Sequence, residues 1–582
     1  MSVASSYAKM INMIIKFISG KQEELPLFHG NDIPEFIKAK ADTSLKRDTP
    51  GKHNISKKNM DAFIDTLCGD YSINPSQIGI MVDGVVVREH YVKPYTGDYR
   101  HVSFSVCKSI LSMAVGIAVD RGILRLDEKL SDIFPEKDSI FFKKNIKNVT
   151  VEHLLTMTAC VSFDEVSSYF DMDWQKSFMA SDIDGNCGVD FYYNSLNSYM
   201  LAAIISKKTN QTLTDYLQEN IFSYLGISDI TWDKCPMGME KGGWGMKLSI
   251  IDMLKLGQLV LDKGSVLTGD TSKQLISRKW IEEATKAKVK IDCNSVIDGY
   301  GYHIWILKDG SYLFNGLFGQ NVYINPSRNM VIAIFASSYA IFPDEKLVGS
   351  LINYAANDNN FVKDKDNIFD NIVSSFKINN LKKNKNLFPN KYDTDNTDIK
   401  NFVLPWLSKE YFFKEYAGSV LPLASQIMYS NYSGGVVSIK ADIKENTLIF
   451  YITEKKDNHY TLYFDINDDA IYRYQVLLIG GKEMPIATKA QVLRDEYNRK
   501  YLSLNICYLE EVSDRFIMLF FEDNKLIVKM VETPNISVVI NKLLEETPVF
   551  KSKNKSKHDI PDYVKYKFEN IVCPRSVGEE CV

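Results

Sequence analysis

The stretches that read as β-strands in this 582-residue chain stand at two distant places, and that separation limits the folds open to it. Residues 77–82 and 85–89 are apolar and β-branched runs flanking Asp83-Gly84. Both turn positions accept positive φ, so the segment predicts a tight antiparallel hairpin. Strand-like runs return at 302–307, 319–324 and 330–335, followed by a helical pattern over 346–356. From 124 to about 261 apolar residues recur at helical spacing, most clearly in 151–155, 198–205 and 252–261. Strands, a helical insert, then strands and a helix predict an α+β domain whose antiparallel sheet is completed by distant chain segments.

Ser105-Val106-Cys107-Lys108 opens a helix predicted to run to about Arg121 and to stop near Gly122. On a helix, positions i and i+3 share a face, so the lysine amine can reach the serine hydroxyl without help from tertiary structure. The helix N-terminus adds unpaired N–H groups and a partial positive charge, which hold an oxyanion and disfavour a protonated lysine. This is the layout of a serine nucleophile with its own base. Alone it is not specific, because a helix-capping serine followed by a solvated lysine makes the same pattern.

At 582 residues the chain exceeds the size at which one core keeps growing, so at least two domains are expected. A lead-in covers 1–75, the α+β domain 76–356, and a linker rich in Asp, Asn and Lys 357–408. Short alternating runs such as 435–441, 447–452 and 515–521 make 409–550 a separate antiparallel β domain, a barrel or sandwich, and 551–582 a lysine-rich tail. That β domain is expected to shape a cleft or mediate assembly.

With 45% hydrophobic and 12% aromatic residues, core material is ample. A net charge of -4 offers no global attraction to nucleic acid or acidic membrane. The cluster Lys382, Lys383 and Lys385 has no interleaved aromatic platform, so no nucleic-acid partner is expected. Nine cysteines, odd in number and without a C-x-x-C pair, read as free thiols in a reducing, cytoplasmic setting. The eight histidines lack metal-ligand spacing, and neither a metal nor another cofactor is expected. Residues 10–18 are apolar but short and broken by Lys16, which favours a packed or weakly membrane-associated amphipathic helix over a cleaved signal. No stable membrane span is expected. The sequence leaves the oligomeric state open.

The companions of Ser105 occur in order. They are Tyr99-Arg100-His101, Phe104-Ser105-Val106-Cys107-Lys108, Gly122-Ile123-Leu124-Arg125-Leu126-Asp127, residues 149–158, Tyr192-Tyr193-Asn194-Ser195, Gly242-Gly243-Trp244-Gly245, residues 255–259 and Gly316-Leu317-Phe318-Gly319-Gln320. Over 79–356 this set resembles the serine β-lactamase and penicillin-binding-protein family. The likeness is greatest to its class C-like branch, which also contains DD-peptidases, D-amino-acid amidases, carboxylesterases, acyltransferases and nylon-oligomer hydrolases. The resemblance implies a β-lactamase/transpeptidase-like domain, with Ser105 as acylated nucleophile and Lys108 as the lysine that helps deprotonate it. For the second-motif tyrosine, Tyr192-Tyr193-Asn194 fits the usual tyrosine-x-asparagine pattern through Tyr192. Counting back from Leu201-Ala202 instead puts Tyr193-Asn194-Ser195 in register as a tyrosine-x-serine variant, so Tyr193 is preferred and Ser195 joins the pocket.

In the third motif the family places lysine or histidine, any residue, then glycine; here the register gives Phe314-Asn315-Gly316. Phe314 carries no charge, so recognition of a β-lactam or peptide carboxylate is not implied. Gly316 permits close backbone approach, Leu317 would supply a second oxyanion N–H beside that of Ser105, and Asn315 would line the pocket. The implied activity is that of a serine hydrolase forming an acyl-enzyme on a small-molecule or peptide-like ester or amide, an esterase or amidase rather than a true β-lactamase. The alternatives are a catalytically silent penicillin-binding-like module and an acyltransferase. His101 and His153 are expected to hydrogen-bond locally, Trp244 and Trp305 to form core or pocket wall, and Cys107 to face away from the pair that flanks it.

Overall fold

The structure is a computed structural model describing residues 16, 21, 36–38, 42, 44–135, 146–169, 171–291, 294–340, 344–361, 399–414, 418–429, 431–466, 472–522, 525–534 and 573–580. Apart from Lys16, the expectations for 10–18, for the linker's lysine cluster and for 551–572 fall outside the described residues.

Ser56 caps a first helix, α1 (Lys57–Gly69), its side chain accepting the Asn59 N–H. Met60, Ile64 and Leu67 recur on its buried face. These residues were expected to belong to an irregular lead-in; the buried stripe instead packs them onto the sheet. The predicted hairpin follows as β1 (Pro75–Val82) and β2 (Val85–Tyr91). Val82 pairs with Val85 across Asp83 (φ 51°) and Gly84 (φ 72°).

Three helices then build one layer: α2 (Val106–Asp120), α3 (Ser195–Thr209) and α4 (Ile250–Leu261), the last opened by a Ser249/Asp252 capping box. The later strands are β3 (Ile297–Tyr300), β4 (Trp305–Leu307), β5 (Tyr312–Gly316), β6 (Gln320–Asn325) and β7 (Met330–Ala336), before α5 (Glu345–Ala356). β4 is shorter than the predicted 302–307 because His303 takes a φ of 57°, outside the extended region.

The sheet runs β2–β1–β7–β6–β5–β4–β3, with Val289–Lys290 as a further edge strand. Ile78 stands opposite Ile334 and Ile80 opposite Ile332, so the early hairpin and the late strands form one antiparallel sheet, as the spacing of apolar runs predicts. Alternation along β7 serves two layers. Val331, Ala333 and Phe335 join the core with α2, α3 and α4, while Ile332, Ile334 and Ala336 join the core with α1 and α5. Gly257 lets α4 lie this close: a Cβ there would stand 2.6 Å from Val331 Cγ1.

The C-terminal antiparallel domain comprises β8 (Glu410–Phe412), β9 (Val436–Lys444), β10 (Thr447–Glu454), β11 (Asn458–Asp465), β12 (Arg473–Ile479), β13 (Lys482–Arg494), β14 (Lys500–Tyr508), β15 (Asp514–Glu522), β16 (Lys525–Thr533) and β17 (Arg575–Glu580). Its order is β11–β10–β9–β8–β17–β16–β15–β14–β13–β12. The two edges meet through a side chain, Gln475, which donates to the Tyr463 carbonyl at 2.8 Å and accepts its N–H at 3.2 Å, so the sheet is nearly a barrel. β17 corrects the expectation that the chain ends in a tail. Its residues fill the gap between β8 and β16, pairing Val577 with Ile527 and Glu580 with Tyr411. Among the described residues no helix is long and apolar enough to cross a membrane.

Candidate active site

Ser105 stands at the N-terminus of α2 on a constrained turn. Ser103 is tied to Met246 by both its N–H (2.9 Å) and its hydroxyl (2.8 Å), each donating to the same carbonyl. Phe104 then takes a φ of 48°, a conformation that costs about 1–3 kcal/mol for a residue with a side chain. Packing holds it there: its ring meets Phe318 edge-on at 5.6 Å, and its carbonyl accepts the Cys107 thiol at 3.0 Å. Cys107 thus turns away from its two neighbours, and burial pushes its thiol up to about 12.

Lys108 is 1% exposed. Its Nζ lies 2.8 Å from Ser105 Oγ, 2.8 Å from Ser195 Oγ and 2.7 Å from the Gly243 carbonyl oxygen. Burial is the largest influence and pushes its pKa down to about 8, against smaller opposing effects of Cys107 and Glu165. The charged amine donates to all three acceptors. Once pH rises through about 8 and the proton is lost, two N–H groups still serve the Gly243 carbonyl and Ser195, and the lone pair faces the Ser105 hydroxyl.

Tyr193 lies beside this pair. Lys108 Nζ is 5.1 Å from its ring centroid, and the ring stacks on Trp305 at 5.8 Å and meets Tyr300 edge-on at 6.2 Å. Burial raises the Tyr193 phenol well above its usual range, and a hydrogen bond with Ser105 opposes that rise. Tyr192 is 41% exposed. Asn194 caps α3: its amide donates to the Val161 and Phe163 carbonyls, and its oxygen accepts the Leu196 N–H. That cap fixes Ser195 as the first residue of α3, facing Lys108.

On β5 the third-motif residues divide by face. Phe314 is buried in the core with residues of α2, whereas Asn315 alternates to the other face and donates to Asn321 Oδ1 at 2.6 Å. The expected pocket role of Asn315 therefore meets a side chain already engaged within the sheet. Gly316 does run against the turn that carries Ser105: a Cβ there would lie 2.4 Å from the Ser103 carbonyl oxygen and 3.3 Å from Phe104 Cβ. Leu317 follows in a bend locked by Gln320, whose amide donates to the Leu317, Phe318 and Ala336 carbonyls and accepts the Ala336 N–H.

Three features escaped sequence reasoning. Glu165 accepts the Ser195 N–H at 2.6 Å and brings a carboxylate to the edge of the group. Gly243 holds Lys108, although only its family-like setting is visible in the sequence. Buried His303 contacts Ser198 at 3.0 Å, and burial, followed by the Lys108 charge, pushes its pKa down to about 3. Elsewhere His101 bonds the neighbouring Val102 carbonyl and also the distant Glu511 backbone, and His153 adds a contact with Cys187 Sγ at 3.3 Å to its place in the Thr150 capping box. Among the described residues no group of three or more His, Cys, Asp or Glu could hold a metal ion.

The two-layered core, the late strands beside an early hairpin and a serine at the head of the central helix define a β-lactamase/transpeptidase-like fold. A model of the family described as Beta-lactamase matches residues 60–353, and the chain belongs to that family. The 6-aminohexanoate-dimer hydrolase of Paenarthrobacter ureafaciens is 22% identical over 286 residues, covering 43% of this chain and 70% of its own. Among solved structures, an octameric penicillin-binding protein homologue from Pyrococcus abyssi aligns over 81% of this chain and 97% of its own, at 15% identity and a TM-score of 0.41. The D-amino acid amidase of Ochrobactrum anthropi SV3 aligns over 50% and 98%, at 16% identity and a TM-score of 0.41.

Proposed function

We propose that this chain is a serine hydrolase that forms an acyl-enzyme on Ser105, acting on small esters or amides as an esterase or amidase rather than a β-lactamase. The observation that carries this reading is the Lys108 amine, buried and within 2.8 Å of the Ser105 hydroxyl while held by an obligate acceptor at Gly243. Neutral Lys108 takes the Ser105 proton as Oγ attacks the substrate carbonyl. The N–H groups of Ser105 and Leu317 receive the oxyanion. Tyr193 relays that proton from Lys108 to the leaving group as its bond to the acyl carbon breaks; water then gives a proton to Lys108 as it attacks the acyl carbonyl, and that proton returns to Ser105 Oγ as the acid departs. The related 6-aminohexanoate-dimer hydrolase supports a hydrolytic role. Phe314, apolar and buried, offers no cation to a carboxylate, which is the reason for preferring uncharged acyl groups over β-lactams. The thiols of Cys107, Cys160, Cys187, Cys235 and Cys507, none of them in a disulfide, support a reducing, cytoplasmic setting.

A fluorophosphonate probe should label the intact protein, with the adduct mapped to Ser105 by mass spectrometry. Turnover of p-nitrophenyl esters should exceed that of a chromogenic β-lactam, and Ser105→Ala should abolish both labelling and turnover. Full turnover in Ser105→Ala would sink the assignment; label without turnover in the wild type would favour transfer to a non-water acceptor.

A further inference from the structure

The C-terminal domain reaches the candidate catalytic centre through the turn between β14 and β15. Leu509, Glu510, Glu511, Val512 and Ser513 are all buried, although a turn carrying two adjacent carboxylates ordinarily sits in water. Its backbone is pinned to the first domain: the Glu510 carbonyl accepts the Val102 N–H at 2.9 Å, and the Val512 carbonyl accepts the Ser337 hydroxyl at 2.6 Å. Tyr95 donates to Asp514 at 3.1 Å just beyond the turn.

One lysine receives both acids. Lys247 Nζ lies 2.9 Å from Glu510 Oε2 and 3.2 Å from Glu511 Oε1, and Glu511 also accepts the Tyr429 hydroxyl at 2.6 Å. Lys247 belongs to a short strand (Met246–Leu248) paired with His101–Val102. In that strand the Met246 carbonyl carries both bonds from Ser103, two residues ahead of Ser105. Three residues before Met246 is Gly243, whose carbonyl holds Lys108. Val512 completes the attachment by packing with Val102, Phe104 and Phe318, with Leu317 and Met428 at the rim.

We propose that the 509–513 turn is a positioning element of the active site, in which Glu510, Glu511 and Val512 hold, through Lys247 and Val102, the backbone segments that present Ser105 and the Gly243 carbonyl. The inference rests on the serine-hydrolase reading. Its physical basis is that a buried cation shared by two carboxylates fixes geometry more than it adds stability, since desolvation offsets most of the attraction. Misplacing a catalytic pair by about 1 Å can cost about 100-fold in rate.

The test uses the full-length protein and p-nitrophenyl acetate. Glu511→Gln, Lys247→Met and Val512→Ala should each lower kcat by about 10- to 100-fold with little change in KM. The acidic limb of kcat/KM should move to higher pH, because a loosened site admits water to Lys108 and relieves the burial that depresses it. The groups facing Lys108, namely Ser105, Ser195, Tyr193, Glu165, Cys107 and His303, are unchanged in these variants. Lys247→Arg should restore part of the rate. Glu580→Gln, which breaks the Lys409–Glu580 pair on β17, should leave rate and limb as they are. If Lys247→Met fails to fold, Glu511→Gln and Val512→Ala still decide, the first keeping side-chain shape and the second the charge cluster. Folded variants with wild-type kcat and an unmoved limb would overturn the proposal. Full turnover in Ser105→Ala would instead overturn the underlying reading.

Discussion

Lys108 is an amine with an ordinary pKa of 10.5, closed off from water and pushed down to about 8. Its neutral form grows as pH rises through that value. The kcat/KM for an ester should therefore rise with pH along a limb centred near 8, measured at constant ionic strength; a limb in the carboxylate range would mean that Lys108 is not the base. The Ser105–Lys108 pair was legible in the sequence because three residues of helix bring its members together. The partners of that pair were not. Glu165 meets Ser195 across 30 residues and Gly243 meets Lys108 across 135, distances over which no local periodicity operates. The choice between Tyr192 and Tyr193 turned on counting from Leu201-Ala202, and one side chain is exposed while the other packs against Lys108.

At the scale of elements, α2, α3 and α4 were foreseen because apolar spacing and caps act within a few residues of one another. α1 was missed: its buried stripe of Met60, Ile64 and Leu67 is interleaved with charged and polar residues, and only the sheet beneath identifies it as a packed face. β17 was missed for a related reason. Arg575-Ser576-Val577-Gly578-Glu579-Glu580 has little strand character, and it is extended because β8 and β16 leave a place for it. The end of β5 offers a sharper test of how elements shape the site. Gly316→Ala would push a methyl carbon to within 2.4 Å of the Ser103 carbonyl oxygen, so the turn that carries Ser105 must shift. We expect kcat on p-nitrophenyl acetate to fall by about 100-fold while circular dichroism stays unchanged. Retention of wild-type kcat would show that Gly316 does not govern the placement of Ser105.

On the scale of the whole molecule, two cores meet through a buried charged turn, and a terminal strand completes the second of them. Deleting 573–580 should expose unpaired edges on β8 and β16, lowering the thermal midpoint and promoting association visible by light scattering. An unchanged melt would mean that β17 adds nothing to the domain. The separated strand runs were enough to indicate one sheet closed by distant segments, since a continuous apolar strand such as β7 must be covered on both faces and paired on both edges. By itself, the sequence determined the elements whose information is local: the hairpin at Asp83-Gly84, the principal helices and the Ser105–Lys108 pair. Tertiary structure alone decided the neighbours of that pair, the place of β17 and the burial of Glu510 and Glu511 against Lys247. Those depend on which surfaces meet, and desolvation with packing sets that outcome only once distant parts of the chain are in contact.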